Sequence, residues 1–193
     1  MKRNQDYTSK KKLIDLLKIL DHFNINDLTA NHASVLSSNK KGFFMNQHKH
    51  LFSQVNANNL VYVDLKNDYS KKYSNINKAG FYIHKFIHNS AYKPRAILHT
   101  HSINSVAISC LKEGFKEKLN QSSMRFFKRV EYLDYSGMVI DKKIARIFRS
   151  SSTSAIKGFM LIISYKLLYT LFYGIMMANN NNLIPRIWTK SKF

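Results

Sequence analysis

Apolar residues near the start of the chain recur at the spacing of one face of an α-helix. They are Leu13, Leu16, Leu17, Leu20 and Phe23. The pattern predicts a helix over 8–23, with Thr8 or Ser9 as its N-terminal cap. A second helix is predicted over 78–91, because Pro94 marks its far side, and a third over 102–111.

Short apolar runs separated by Asn, Ser and Lys predict β-strands between residues 24 and 68. The runs are Val35-Leu36, Gly42 to Met45, and Leu60 to Leu65. Further runs predict strands at 95–101, 130–133 and 137–140. Because the predicted helices alternate with these strands, the sequence indicates an α/β layered fold, in which a sheet carries helices on its faces.

The composition of the chain changes near Asp141. All eleven acidic residues and all eight histidines lie at or before this position. Together with the basic residues at the start of the chain, Lys2, Arg3 and Lys10 to Lys12, the change predicts a basic N-terminal segment at 1–12, a folded domain at 13–149 and a divergent tail at 150–193. The tail joins a Ser-rich linker, an apolar segment at 158–178 and a run of Asn. That apolar segment is long enough to span a bilayer, but Lys166 near its middle favours a core strand.

The net charge of +20 has two interpretations, a polyanion-binding surface or compositional drift. The basic residues are scattered along the chain, and the abundant Lys, Asn, Ile, Phe and Tyr are all encoded by AT-rich codons. Drift is favoured, so we expect no specific nucleic-acid partner and no membrane anchor.

The single cysteine, Cys110, excludes an internal disulfide framework. With no signal peptide visible, a cytoplasmic location is expected.

Two pairs of histidines have the spacing of metal ligands. His99 and His101 end a predicted strand, where residues two apart face the same side. Zinc usually takes at least three protein ligands, so this pair alone favours two polar residues at a strand end. His84 and His88 share a helix face, but Lys85 stands where a zinc protease needs its glutamate. We predict that His84 is packed and His88 partly exposed.

Several motifs, in order along the chain, resemble the class II aldolase/adducin family. The segment 96–101 resembles the family's strand with two zinc-binding histidines. The segment 77–81, followed by His84, resembles the adducin-like branch. The resemblance runs from about Leu13 to Ile144, and its other motifs are Asn31-His32, Gly42 to Met45, Val61 to Leu65 and Tyr132 to Gly137.

The resemblance implies a central, mainly antiparallel sheet flanked by helices on both sides, and a homo-oligomer. In the family's aldolases, zinc polarises a small sugar phosphate and stabilises the enediolate that cleavage leaves. The implied metal ligands here are His99 and His101. Asn31 is the implied substrate-binding residue, at the position of an asparagine that holds phosphate.

The chain departs from the family pattern at two positions. Gly80 stands in the place of the aldolases' proton-transferring glutamate, as in adducin-like members. The third metal histidine belongs in an Asn-His-Gly turn after a strand that begins near Lys157, but no histidine follows His101. The divergent C-terminus is consistent with a reading-frame change or a degraded gene, which we state as a hypothesis.

These departures leave the enzymatic activity open. The resemblance implies a class II aldolase that is catalytically impaired and holds zinc weakly. A working lyase would need His84, or a carboxylate from a neighbouring subunit, to complete the site. The alternative is a non-catalytic, adducin-like interaction or assembly module.

Overall fold

The structure, a computed structural model, describes residues 2–91, 93–111, 114–116, 118–127, 130–134, 160–164 and 174–178. The helices among them are α1 (Lys2–His22), α2 (Lys78–His88) and α3 (Ile103–Cys110). The strands are β1 (His32–Leu36), β2 (Gly42–Asn46), β3 (Leu60–Asp64), β4 (Ala96–Thr100), β5 (Val130–Asp134), β6 (Met160–Ser164) and β7 (Gly174–Ala178).

The strands form one sheet in the order β3-β2-β1-β4-β7-β6-β5. Neighbouring strands run antiparallel, except that β5 and β6 are parallel. The predicted sheet is therefore confirmed as mainly antiparallel. Strand β4 lies between β1 and β7, so the segment that carries His99 is paired along both of its edges.

The two faces of the sheet bury separate apolar clusters, because side chains alternate along each strand. Helix α1 covers one face, where its leucines pack against Ala33, Val35, Phe44 and Leu98. Helix α2 covers the other face, where Phe81, Ile83 and Ile87 pack against Phe43, Met45, Val63 and Ile97. Helices thus lie on both sides of the sheet, as the family resemblance implied.

Helix α1 begins at Lys2, six residues before its predicted start at 8. The apolar periodicity begins only at Leu13, so the polar first turns gave no such signal. These turns contain neither Pro nor Gly, and Asp6 Oδ1 accepts a hydrogen bond of 2.7 Å from the backbone N–H of Ser38. That bond ties the start of the helix to the β1–β2 turn. The domain boundaries proposed from composition stay a prediction.

The described parts of the apolar segment 158–178 are strands β6 and β7. This agrees with the expected core strand. None of the helices in the described part of the chain is long and apolar enough to cross a bilayer. The strand predicted at 137–140, the Ser-rich linker and the Asn run lie outside the described residues.

Candidate metal centre

Strands β1 and β4 and helix α2 gather histidines on one side of the sheet. His32 and His99 are direct cross-strand partners in the antiparallel β1–β4 pair. Helix α2, which packs on the same face, brings His84 and His88 to the sheet. All four of these imidazoles are buried, and His101, just beyond β4, is nearly so.

The predicted pair, His99 and His101, lies together. The two Nε2 atoms are 3.0 Å apart, and His101 Nδ1 is 2.6 Å from Asp27 Oδ2. A carboxylate oxygen accepts, so Nδ1 of His101 donates. In the neutral imidazole, Nε2 then carries the lone pair, and it accepts a hydrogen bond from the Nε2–H of His99. Metal-binding histidines in proteins are usually held by such a bond from the ring nitrogen that does not bind the metal.

These residues fit zinc in donor type but supply only two ligands. Burial, followed by the charges of His32 and His101, holds the pKa of His99 well below its usual range, so its imidazole is neutral, as a ligand must be. Within the described residues, no group of three His, Cys, Asp or Glu side chains is placed to hold a metal ion. On the other side of β4, the residue paired with His99 is Ile175.

A hydrogen-bonded series of side chains continues behind the pair. The Pro94 carbonyl accepts from His88 Nδ1 at 3.0 Å, and Ser34 Oγ lies 2.7 Å from His88 Nε2. Ser34 Oγ lies 2.5 Å from His84 Nδ1, and His84 Nε2 lies 2.8 Å from His32 Nδ1. We call His88, Ser34, His84 and His32 the buried relay.

The Pro94 carbonyl at one end of the buried relay determines which nitrogen carries the proton in each of its imidazoles. A carbonyl oxygen only accepts, so His88 donates through Nδ1 and accepts at Nε2 from the Ser34 hydroxyl. Ser34 then accepts from His84 Nδ1, and His84 Nε2 accepts from His32. Burial lowers the pKa of His32 and of His88 to about 3 and, with the charges of His32 and His88, lowers that of His84 well below its usual range. Every ring is therefore neutral at pH 7.

The ring of His32 fills the space beside Gly80. It stacks on His99 with the ring centroids 4.1 Å apart and the planes 16° apart. A Cβ atom added to Gly80 would lie 2.9 Å from His32 Cδ2 and 2.7 Å from Met45 Cε. Real Cβ atoms do not approach other atoms so closely, so a side chain at position 80 would force the His32 ring or the Met45 methyl group to shift. The position at which the resemblance implies a glutamate is thus closed by His32.

The side chain of Asn31, which was predicted to bind substrate, makes hydrogen bonds within the protein. Its Oδ1 accepts from the backbone N–H of His101 at 3.0 Å, and its Nδ2 donates to the Asp27 carbonyl at 3.3 Å. The side chain is buried. The amide thus links the loop of Asp27 to the residue that follows β4, and the substrate-binding role stays a prediction.

The prediction for His88 is wrong, whereas that for His84 is confirmed. His88 is fully buried, because the α2 face that packs on the sheet includes it, and its ring lies 4.9 Å from that of Phe43. Sequence reasoning assigned no role to Asp27 or Ser34. One signal was available: His32 and Ser34 alternate in a strand, so two polar side chains face the same buried side.

Replacing Ser34 with alanine is expected to destabilise the protein by about 1–3 kcal/mol for each imidazole nitrogen that loses its partner. Two nitrogens do so, His84 Nδ1 and His88 Nε2. Urea unfolding at pH 8 measures the loss. The matched control is Ser90→Ala, since Ser90 is equally buried and its hydroxyl has no hydrogen-bond partner among the described residues. Equal stability of the two variants would contradict the assignment.

Comparison with known proteins gives consistent matches. A family profile described as "Class II Aldolase and Adducin N-terminal domain" matches residues 11–161. An adducin-related protein of Schizosaccharomyces pombe is 33% identical over 133 residues, covering 64% of this chain and 39% of that protein. The chain spans about half or less of the length of the curated relatives it matches.

Two solved structures illustrate the shared fold. An aldolase II superfamily protein from Pseudomonas syringae matches with a TM-score of 0.73 and 24% identity, over 90% of this chain and 66% of the other. An L-fuculose 1-phosphate aldolase from Glaciozyma antarctica matches with a TM-score of 0.67 and 21% identity, over 90% and 64%. At these identities the likeness shows the fold alone.

Proposed function

Because the chain belongs to the class II aldolase and adducin N-terminal domain family, we propose that it is a catalytically impaired aldolase-type domain. Its site binds a divalent metal weakly through His99 and His101, and zinc is the metal that we propose first. The observation that carries this proposal is the 3.0 Å approach of the two Nε2 atoms, with Asp27 on the far side of His101. The substrate class is a small sugar phosphate.

A bound zinc ion would polarise a substrate oxygen and stabilise the negative charge that develops on it. The protein's own part is to keep the His99 imidazole neutral and to bring the two rings to one point. Asn31, beside them, is the proposed contact for the phosphate. With two protein ligands, the ion would be held more weakly than in a closed site, which takes at least three.

Proton transfer is the step that this site lacks. Position 80 has no carboxylate, and the His32 ring fills the space beside it. His32 does not replace that carboxylate, because its pKa, lowered by burial to about 3, makes it a poor base at neutral pH. We therefore expect cleavage of a ketose phosphate to be slow, and whatever cleavage occurs to be abolished by His99→Ala.

Metal content tests the proposed site directly. The purified protein, supplied with zinc and then passed through a desalting column, is expected to retain less than one equivalent by elemental mass spectrometry. The double variant His99→Ala, His101→Ala is expected to retain none. The matched control is His48→Ala, His50→Ala, since this pair has the same spacing but lies in the turn that follows β2, outside the buried cluster. Equal zinc in all three proteins would contradict the proposal.

A non-catalytic, adducin-like interaction or assembly module is the second candidate. The observation that favours it is Gly80, whose neighbours leave no room for the family's glutamate. Stable homo-oligomers without metal, together with no cleavage of any sugar phosphate, would support this candidate over the first. A cytoplasmic location is proposed for either function, on the strength of the single cysteine.

A further inference from the structure

We propose that Asp27 is a positioning residue for metal binding, acting through His101. The inference rests on the proposed function, since it concerns the same pair of histidines. It goes further by assigning a role to a side chain that neither the family pattern nor the spacing of the histidines indicated. The effect of Asp27 passes through the imidazole ring of His101, to which it is hydrogen-bonded.

The first observation is the hydrogen bond itself. Asp27 Oδ2 lies 2.6 Å from His101 Nδ1, and the exposed fractions of the two side chains are 39% and 5%. The bond thus runs from the surface to a nearly buried ring. It selects the tautomer with a proton on Nδ1, which leaves the lone pair of Nε2 directed at His99. The other tautomer would put a proton on Nε2 of His101, the nitrogen that would have to bind the metal.

The second observation is that the loop is built to hold Asp27 in place. Asn31 accepts from the backbone of His101 and donates to the carbonyl of Asp27. One amide therefore fixes the main chains of both partners. The distance between the carboxylate and the imidazole is therefore set by two main-chain segments that Asn31 joins, and not by the Asp27 side chain alone.

The third observation is backbone strain beside Asp27. Leu28 has a φ of 45°, in the left-handed region that costs a residue other than glycine about 1–2 kcal/mol. Its side chain is 73% exposed, so burial of the leucine does not compensate for this conformation. Strain of this kind is characteristic of functional sites.

Two variants and one control test the role. Asp27→Ala removes the acceptor, and Asp27→Asn keeps the shape while replacing a charged acceptor with a neutral, weaker one. The control is Asp15→Asn, an exposed aspartate on α1 whose partner is Lys11 at 2.9 Å. Circular dichroism and urea unfolding establish that each variant is folded before the site is measured.

The first readout is the tautomer of His101, measured by side-chain ¹⁵N NMR on the metal-free protein. Wild type and Asp15→Asn are expected to show the proton on Nδ1. Asp27→Ala is expected to show a mixture of both tautomers. A purely structural role for Asp27 would not change this signal in a folded variant.

The second readout is zinc affinity, measured by competition with a chromophoric chelator. We expect Asp27→Ala to bind about 10–100-fold more weakly than wild type, and Asp27→Asn to lie between the two. Unchanged affinity in Asp27→Ala, with the His101 tautomer also unchanged, would overturn the proposal. If wild type binds no zinc, the proposed metal site fails, while the NMR result still decides whether Asp27 sets the tautomer.

Discussion

Lowering the pH from 7 to 5 is expected to remove about 8 kcal/mol from the free energy of unfolding, about 2 kcal/mol for each of four buried histidines. The four are His32, His84, His88 and His99, whose pKa values burial holds far below the ordinary 6.5. The folded protein keeps them neutral at pH 5, whereas the unfolded chain protonates them. A loss of this size is comparable with the whole stability of a typical domain.

The direction follows from proton uptake. Above pH 6.5 these imidazoles are neutral in both states, so stability does not depend on their titration. Below pH 6.5 the unfolded state binds more protons, so stability falls steadily as the pH drops towards about 3, where His32 and His88 titrate in the folded state. We therefore expect acid unfolding between pH 6.5 and 5, well above the range in which carboxylates drive it.

Urea unfolding between pH 8 and pH 5, with a chelator present to exclude metal, measures the effect. Near pH 5, the slope of the unfolding free energy against pH is expected to approach the value for an uptake of four protons on unfolding. The control is His48→Asn, because His48 is exposed in a turn; this substitution should leave the slope unchanged. A stability that stays flat down to pH 5 would show that the four histidines are not buried as described.

Restoring the family's carboxylate by Gly80→Glu is expected to fail and to destabilise the protein. In an exposed helix, replacing glycine with alanine gains about 1 kcal/mol. Here the added Cβ would lie within 3 Å of Met45 and His32, so Gly80→Ala is expected to cost about 1–3 kcal/mol. Glutamate should cost more, since it also brings a charge into an apolar site. No gain in lyase activity is expected.

A double-mutant cycle separates this clash from a general intolerance of helix α2. His32→Ala removes the ring that lies against position 80, so Gly80→Ala should cost less in that background than alone. Unfolding free energies of the two single variants and the double variant give the coupling, expected to be about 0.5–3 kcal/mol for residues in contact. Additive costs would mean that the His32 ring does not close the site.

The fold was largely predictable because its signals are local. Strands β1 to β3 follow from short apolar runs bounded by polar residues, and α2 follows from a helical pattern that ends before Pro94. The start of α1 was not predictable from periodicity, since its first turns are polar and are secured by a bond from Ser38 to Asp6. The family resemblance supplied the overall arrangement of the sheet, which periodicity alone does not specify.

The candidate site was predictable only in part, for a physical reason. His99 and His101 share a side because residues two apart in a strand do so, and this is a property of the sequence. The buried relay depends on the register of β1 against β4 and on the rotation of α2 about its own axis. Neither can be derived from spacing along one segment, so the burial of His88 and the roles of Ser34 and Asp27 required the structure.

The order of the strands also determines when, during synthesis, β4 can pair with its second neighbouring strand. Strand β4 pairs on one side with β1, which precedes it, and on the other with β7, which is separated from Thr100 by 73 residues. At a translation rate of 5–20 residues per second, the ribosome needs roughly 4–15 s to make that interval. Throughout this time the growing chain presents β4 as an open edge, next to the future site. Exposed edges favour pairing between molecules, so we expect unfinished chains to associate along β4 more readily than finished ones.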